Sequence, residues 1–142
     1  MDMDYEQLKI KRFALWDLYL HKGQFPFLGR CYASAIRDAA DLVTDMTTRE
    51  CNELFSLVIP SWHRAISELF GKSRPNVAIL GNEWPHLHAH LIPRFHDTKH
   101  FYKIDFIDPN PKGNYSPHPK KEISLDILLR IKEDIKEALD KK

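Results

Sequence analysis

The run His86-Leu87-His88-Ala89-His90-Leu91-Ile92 constrains this chain more than any other stretch, because histidine and apolar residues alternate along it. Successive side chains on a strand point to opposite faces, so the three imidazoles share one face at intervals of about 6.7 Å, and Leu87, Ala89 and Leu91 share the other. The apolar side needs a packed layer against it. An imidazole carries a polar nitrogen on each side of its ring, so three of them in a row are hard to explain by packing. The expected arrangement is a strand with helices on one face and histidines on an open face.

The rest of the chain supplies that layer. Phe13 to Leu20 and Cys31 to Ile36 are read as strands, the first bounded by the turn chemistry of Lys22-Gly23 and Phe25-Pro26. Thr47-Thr48-Arg49-Glu50 has the capping-box pattern, and Leu54, Phe55, Val58, Trp62, Ala65, Ile66 and Leu69 then recur at helical spacing up to Gly71. Pro60 removes one backbone donor and predicts a kink near Ser56. Trp62 falls on the apolar stripe and His63 on the polar, solvated side. Asn76 to Gly81 and His86 to Arg94 read as antiparallel strands joined tightly through Asn82-Glu83-Trp84-Pro85. A last helix over 124–140 carries Leu125, Leu128, Ile131, Ile135 and Leu139 on one face, and its charged run Lys132 to Lys142 on a wet one.

These elements predict a single α+β domain over 1–142. It has an antiparallel sheet of about five strands, with a central and a C-terminal helix on one face and a core over about 13–95. The proline-rich stretch 108–121, with Pro109, Pro111, Pro117 and Pro119, reads as a loop or flap. Twenty-one basic against twenty acidic residues leave a net charge of +1, so there is no strong nucleic-acid signal and any anionic ligand must be held locally. Cys31 and Cys51 stand in apolar surroundings without a CxxC partner and read as buried thiols. The acidic start Met1-Asp2-Met3-Asp4 and the lack of a membrane-length apolar run point to a cytoplasmic protein.

Three readings compete for the histidines. They could be a solvated strand face. They could bind metal, although three in line span about 13 Å, too far for all to reach one ion. They could perform covalent catalysis, in which one neutral imidazole attacks phosphorus while its second nitrogen is held by an acceptor that selects the tautomer. The third reading gives each ring a separate role. His88, supported from both sides, is the nucleophile, and His86 and His90 order the site. No metal and no cofactor is required.

The segment His86 to Arg94 resembles the histidine-triad motif, and the similarity extends to Gly29 to Arg37, the helix from Thr47 and the strand Asn76 to Gly81. The resemblance covers about two thirds of the chain. It implies a histidine-triad (HIT-like) fold, often homodimeric. The implied activity is hydrolysis or transfer of nucleotides through a nucleotidyl-histidine intermediate on the middle histidine. Gly81-Asn82, Pro85 and Leu87-His88 look like the diadenosine tetraphosphate hydrolase-like members.

Departures from the family pattern mark the other candidate substrate-binding residues. Arg30 replaces the histidine that usually follows the strand-leading glycine. Arginine offers a fork of donors to a phosphate but cannot give up a proton. Asn82 stands where many members carry glutamine, able to touch the phosphate, and Glu83 stands where serine or threonine is common. Trp84, at the turn beside the triad, would be exposed unless it covers a ligand or a subunit contact. The ribose-contacting acid or amide that the family places after the first strand is not evident, since His21-Lys22 stand roughly at that position. Trp16, Leu18 and Phe27 are candidates for a base pocket or for ordinary core. The expected partner is a small nucleotide conjugate; the alternatives are a nucleotide-binding module with little turnover, or a metal-binding protein.

Overall fold

The computed structural model describes residues 5–141. The acidic residues Met1 to Asp4 and the final Lys142 of the charged run lie outside the described residues. After a short turn at Tyr5–Leu8 come strands β1 (Lys9–Arg12), β2 (Trp16–Leu20) and β3 (Cys31–Ala35). Helix α1 (Thr48–Glu53) runs through a π-helical turn (Leu54–Val58) into α2 (Ile59–Phe70). Then follow β4 (Arg74–Ala78), β5 (His88–Arg94), a hairpin of β6 (Lys99–Phe101) and β7 (Ile104–Phe106), and helix α3 (Leu125–Asp140).

The five main strands form one sheet in the order β1-β2-β3-β5-β4, every neighbouring pair antiparallel. Trp16, Leu18, Leu20, Cys31, Ala33, Ala35, Ala89 and Leu91 bury one face against Leu54, Val58, Trp62, Ile66 and the Leu128, Ile131 and Ile135 stripe of α3. This is the predicted α+β architecture. Ala33 lies opposite Ala89 in the register, and this small pair lets the helix layer approach closely.

The helix start is built as its sequence indicates. Thr47 Oγ1 accepts from the Glu50 N–H at 3.1 Å, and Glu50 Oε1 accepts from the Thr47 N–H at 2.9 Å. Glu50 is buried with a two-pronged bond from Arg37, and its carbonyl accepts from Trp16 Nε1. Where a kink is predicted, the backbone makes a π-turn in which the Ile59 N–H reaches the Leu54 carbonyl, so Pro60 enters in the first turn of α2, where no backbone donor is needed.

Several local expectations are corrected. Strand β1 and the β6–β7 hairpin carry weak sequence signals. Only Ile10 of β1 is buried, and the hairpin turns through Tyr102 and Lys103 at φ 57° and 63°, where glycine or asparagine would normally announce the bend. The core is therefore wider than 13–95, taking in Leu8, Ile10, Phe106, Ile123 and the α3 stripe. Leu125 is exposed at the start of α3. The β4–β5 connection runs over residues 79–87 rather than through a tight turn. Cys31 is buried but Cys51, on the solvent side of α1, is exposed. His63 is half-buried, its Nε2 3.3 Å from the Ser73 carbonyl.

Gly29, just before β3, joins the two layers. Its φ is +93°, an added Cβ would stand 2.6 Å from Ile66 Cδ1, and its carbonyl accepts from Trp62 Nε1 at 3.0 Å. Gly29→Ala should lower stability by about 2 kcal/mol, through backbone strain and the contact with α2. The urea midpoint measures this, and an unchanged midpoint would contradict the account.

Candidate active site

By alternation from Cys31, the side chains of Tyr32 and Ser34 lie on the face away from the helices, opposite His90 and His88 respectively. The same face continues into Tyr19 and Asp17 on β2. This face is not the open one the sequence predicts: Asp17, Ser34 and His88 are buried and Tyr19, Tyr32 and His90 half-buried, because aromatic rings cover it. Two hollows lie elsewhere, one of about 460 Å³ beside Leu15, Arg37 and Glu50, another of about 320 Å³ among Arg74, Asn76, His96 and Lys112.

His88 is held in one tautomer. Its Nδ1 lies 2.6 Å from the His86 carbonyl, and a carbonyl can only accept, so Nδ1 carries the hydrogen and Nε2 the lone pair. His86 precedes β5, and its ring Nε2–H donates to the Ala35 carbonyl at 2.7 Å. His86 thus supports His88 through its backbone, while its ring ties the start of the strand to the end of β3. The ring of His90 meets that of His88 edge-on, with centroids 4.9 Å apart.

Aromatic rings enclose the nucleophile candidate. Trp84 lies against His86 and His88 at 5.1 and 4.7 Å, and Tyr32 meets Trp84 and His88 edge-on while stacking on Tyr19. Trp84 remains 47% exposed, so the indole still offers a face to a ligand. Asn82 and Glu83 are exposed on the 79–87 connection, and among the described residues no hydrogen bond or ring contact joins either to the triad. Sequence reasoning did not find Tyr32. The available signal was its position beside Ser34 as the other polar residue alternating with Cys31, Ala33 and Ala35.

Arg30 stands one residue before β3 on the histidine face and is only 8% exposed. Among the described residues it has no carboxylate partner and its Nε has no acceptor; the ring of Tyr115 lies 5.8 Å from its guanidinium carbon. Burial pushes its pKa down. His90 Nδ1 is likewise buried without a partner, so two of the three such side-chain atoms in the described residues belong to this face. A buried, unpaired guanidinium costs roughly several kcal/mol, a penalty that a bound anion would relieve.

Burial, with Arg30 second, sets the protonation of the neighbouring histidines. Burial first, then Arg30, then His88 hold His90 down to about 4. His21 is held down to about 3 by burial, then by Arg30, His90, Lys22 and His118, and its Nδ1 accepts from the Gly23 N–H. Its ring lies 5.8 Å from that of His90, which places His21 on the site. Both rings are neutral at ordinary pH.

The proline-rich flap reaches the same place. Arg94, at the end of β5, is buried with a two-pronged ion pair to Asp108 and also donates to the Asn110 and Gly113 carbonyls. This anchor seats Tyr115 and His118 against Phe27, whose ring lies buried between the flap and Arg94. Trp16 and Leu18, by contrast, are entirely core.

No family model matches the sequence, and no curated protein matches it significantly. Solved structures do match. A histidine triad protein from Bradyrhizobium japonicum superposes with a TM-score of 0.71 at 18% identity, over 92% of this chain and 89% of its own. A histidine triad protein from Marinobacter aquaeolei gives 0.70 at 20%, over 95% and 93%. A hypothetical histidine triad nucleotide-binding protein from Sulfolobus tokodaii gives 0.66 at 16%, over 94% and 83%. The chain has the histidine-triad fold. Among the described residues no helix is long and apolar enough to cross a membrane, and no three His, Cys, Asp or Glu side chains are grouped to hold a metal ion.

Within the histidine-triad fold, the two depressed histidines make stability depend on pH. The folded state binds fewer protons than the unfolded chain below the ordinary histidine value of 6.5, so their contribution is complete above that value and is lost as pH falls toward about 4 and about 3. The urea midpoint should fall between about pH 7 and about pH 5, above the carboxylate range, and His21→Gln should flatten that fall. A wild-type midpoint independent of pH over this window would contradict the assignment.

Proposed function

We propose that this chain is a histidine-triad enzyme that cleaves nucleoside phosphate conjugates, of the diadenosine polyphosphate kind, at the α-phosphorus through a nucleotidyl intermediate on His88. The observation that carries the reading is the pinned tautomer of His88, which leaves the lone pair on Nε2, on a sheet face that also holds the buried guanidinium of Arg30, without an acceptor for its Nε–H among the described residues. In this reading Nε2 attacks phosphorus in line with the departing oxygen, and the His86 carbonyl holds the imidazolium that results. Arg30 steadies the phosphate oxygens, Asn82 and Glu83 approach the substrate from the exposed connection, and the open indole of Trp84 and the ring of Tyr32 flank the nucleotide. His90 braces the nucleophile. Water then releases the nucleotide.

His88→Ala should lower turnover at least about a thousandfold, because it removes the lone pair that attacks phosphorus. Rapid quenching in base followed by mass spectrometry should find nucleotide on the peptide containing His88. Undiminished turnover by His88→Ala would remove the reading. The competing reading, a binding module, is favoured by Arg30, which offers hydrogen bonds but does not give up a proton. Tight nucleotide binding with no hydrolysis across anhydrides and phosphoramidates would establish it instead.

The reading includes a homodimer acting in the cytoplasm, where the free thiols of Cys31 and Cys51 would stay reduced. β4 is an edge strand, and Val77, Leu80, Phe55 and Leu57 are exposed apolar residues on β4, the chain after it and the π-turn. Sedimentation should give twice the 16.7 kDa chain mass, and Val77→Lys should shift it to the monomer. A wild-type monomer at assay concentration would remove the dimer.

A further inference from the structure

We infer that the hollow of about 320 Å³ between the end of the β4–β5 pair and the flap is a second anion site, which takes a phosphate group on Arg74, Lys112 and His96. It stands apart from the triad and does not rest on the reading of His88. Along β5 the step from His88 to Arg94 is six residues, about 20 Å, so a phosphate held here is not the one that meets the nucleophile.

The register of the sheet sets Arg74 directly opposite Arg94. Like charges directly opposite destabilise a strand pair unless something neutralises them. One carboxylate reaches this pair, and it belongs to Arg94. Asp108 accepts from Arg94 Nε at 2.6 Å and from Nη2 at 3.1 Å, and its Oδ1 also takes the Asn110 N–H. Arg94 donates to Asn76 Oδ1 as well, so the side chains of 74, 76 and 94 share one face. Arg74 is left exposed, and its side chain has no hydrogen bond or ion pair among the described residues; the same holds for Lys112 and His96. None of the residues lining the hollow is acidic.

The position of Lys112 is built rather than incidental. The Gly113 N–H closes a turn onto the Asn110 carbonyl, and the carbonyls of Asn110 and Gly113 both accept from Arg94, which is only 2% exposed. A buried guanidinium therefore fixes the turn that carries Lys112 over the end of the sheet. Arg74, Arg94 and Lys112 against Asp108 leave two positive charges uncompensated. A carboxylate ligand would balance one of them, whereas a phosphate group carries about −1.5 to −2 near neutral pH and presents oxygens to both the arginine fork and the ammonium. The hollow lies at the lower end of the size range of ligand sites, which suits a free phosphate or the phosphate end of a larger molecule.

The test follows backbone amide shifts of the full-length chain, labelled with nitrogen-15, during titration with inorganic phosphate and with adenosine 5′-monophosphate, against a chloride titration at the same ionic strength. The amides of Asn76, Lys112 and Gly113 should move together and saturate with phosphate but not with chloride. Arg74→Gln and Lys112→Gln replace exposed side chains and should leave the fold intact, and each should weaken this binding about tenfold. Equal affinity for the two ligands, read at these amides, would assign the site to the phosphate group alone; at least about tenfold tighter binding of the mononucleotide would assign it to the phosphate end of a larger molecule. Shifts that do not saturate, that chloride reproduces, that survive both substitutions, or that centre on Cys31 and Tyr32 beside Arg30 would overturn the inference.

Discussion

The pairing of β3 with β5 is the constraint on which the rest of this molecule depends. Its register sets Ala33 against Ala89 on the side of the helices and places Ser34 against His88 and Tyr32 against His90 on the other side. The side-chain period of a strand is two, so a slip of one residue would turn the histidines into the helix layer and the alanines outward. Burying imidazoles there would leave ring nitrogens without partners, while the helix could not approach past rings of that size. The packing of the core and the placing of the histidines on the opposite face are thus one requirement.

The hydrogen bonds at the end of this pairing extend the same logic to chemistry. The Ala35 N–H donates to the Leu87 carbonyl and the Ala35 carbonyl accepts from the His86 ring, which fixes the backbone from which the His86 carbonyl reaches His88. Gly29 acts from the other end of β3. Its bond from Trp62 and its contact with Ile66 lock the chain to α2 one residue before Arg30, so a helix–sheet contact determines where a charged side chain enters the site. Arg94 closes the arrangement by holding the flap whose Tyr115 covers Arg30.

Much of this was legible in the residues. The alternation of His86 to Ile92 announced both the strand and its two faces, and the Thr47 to Glu50 capping box announced the helix that fills one of them. The signals that failed were those in which tertiary contacts override local pattern. β1 is mostly polar and is a strand because β2 pairs with it, and the β6–β7 turn adopts a left-handed backbone at Tyr102 and Lys103, with Tyr102 bonded to Asp134 of α3. Tyr32 escaped notice and His21 was met only as a loose position after the first strand, because neither carries a motif; each joins the triad only through the folding of β2 and β3 against β5.

The sequence by itself determined the α+β class, the helical layer and the set of three histidines on one strand, because these follow from periodicities of two and 3.6 that local patterns carry. Only the tertiary structure decided which nitrogen of His88 bears the hydrogen, that Arg30 is buried without a carboxylate partner among the described residues, and that the flap lies over it. The bond that fixes His88 joins residues only two apart, but the backbone that aims the His86 carbonyl is held by the bond of the His86 ring to Ala35, far away in the chain; the surroundings of Arg30 likewise come from the flap, and no local pattern of sequence contains those partners.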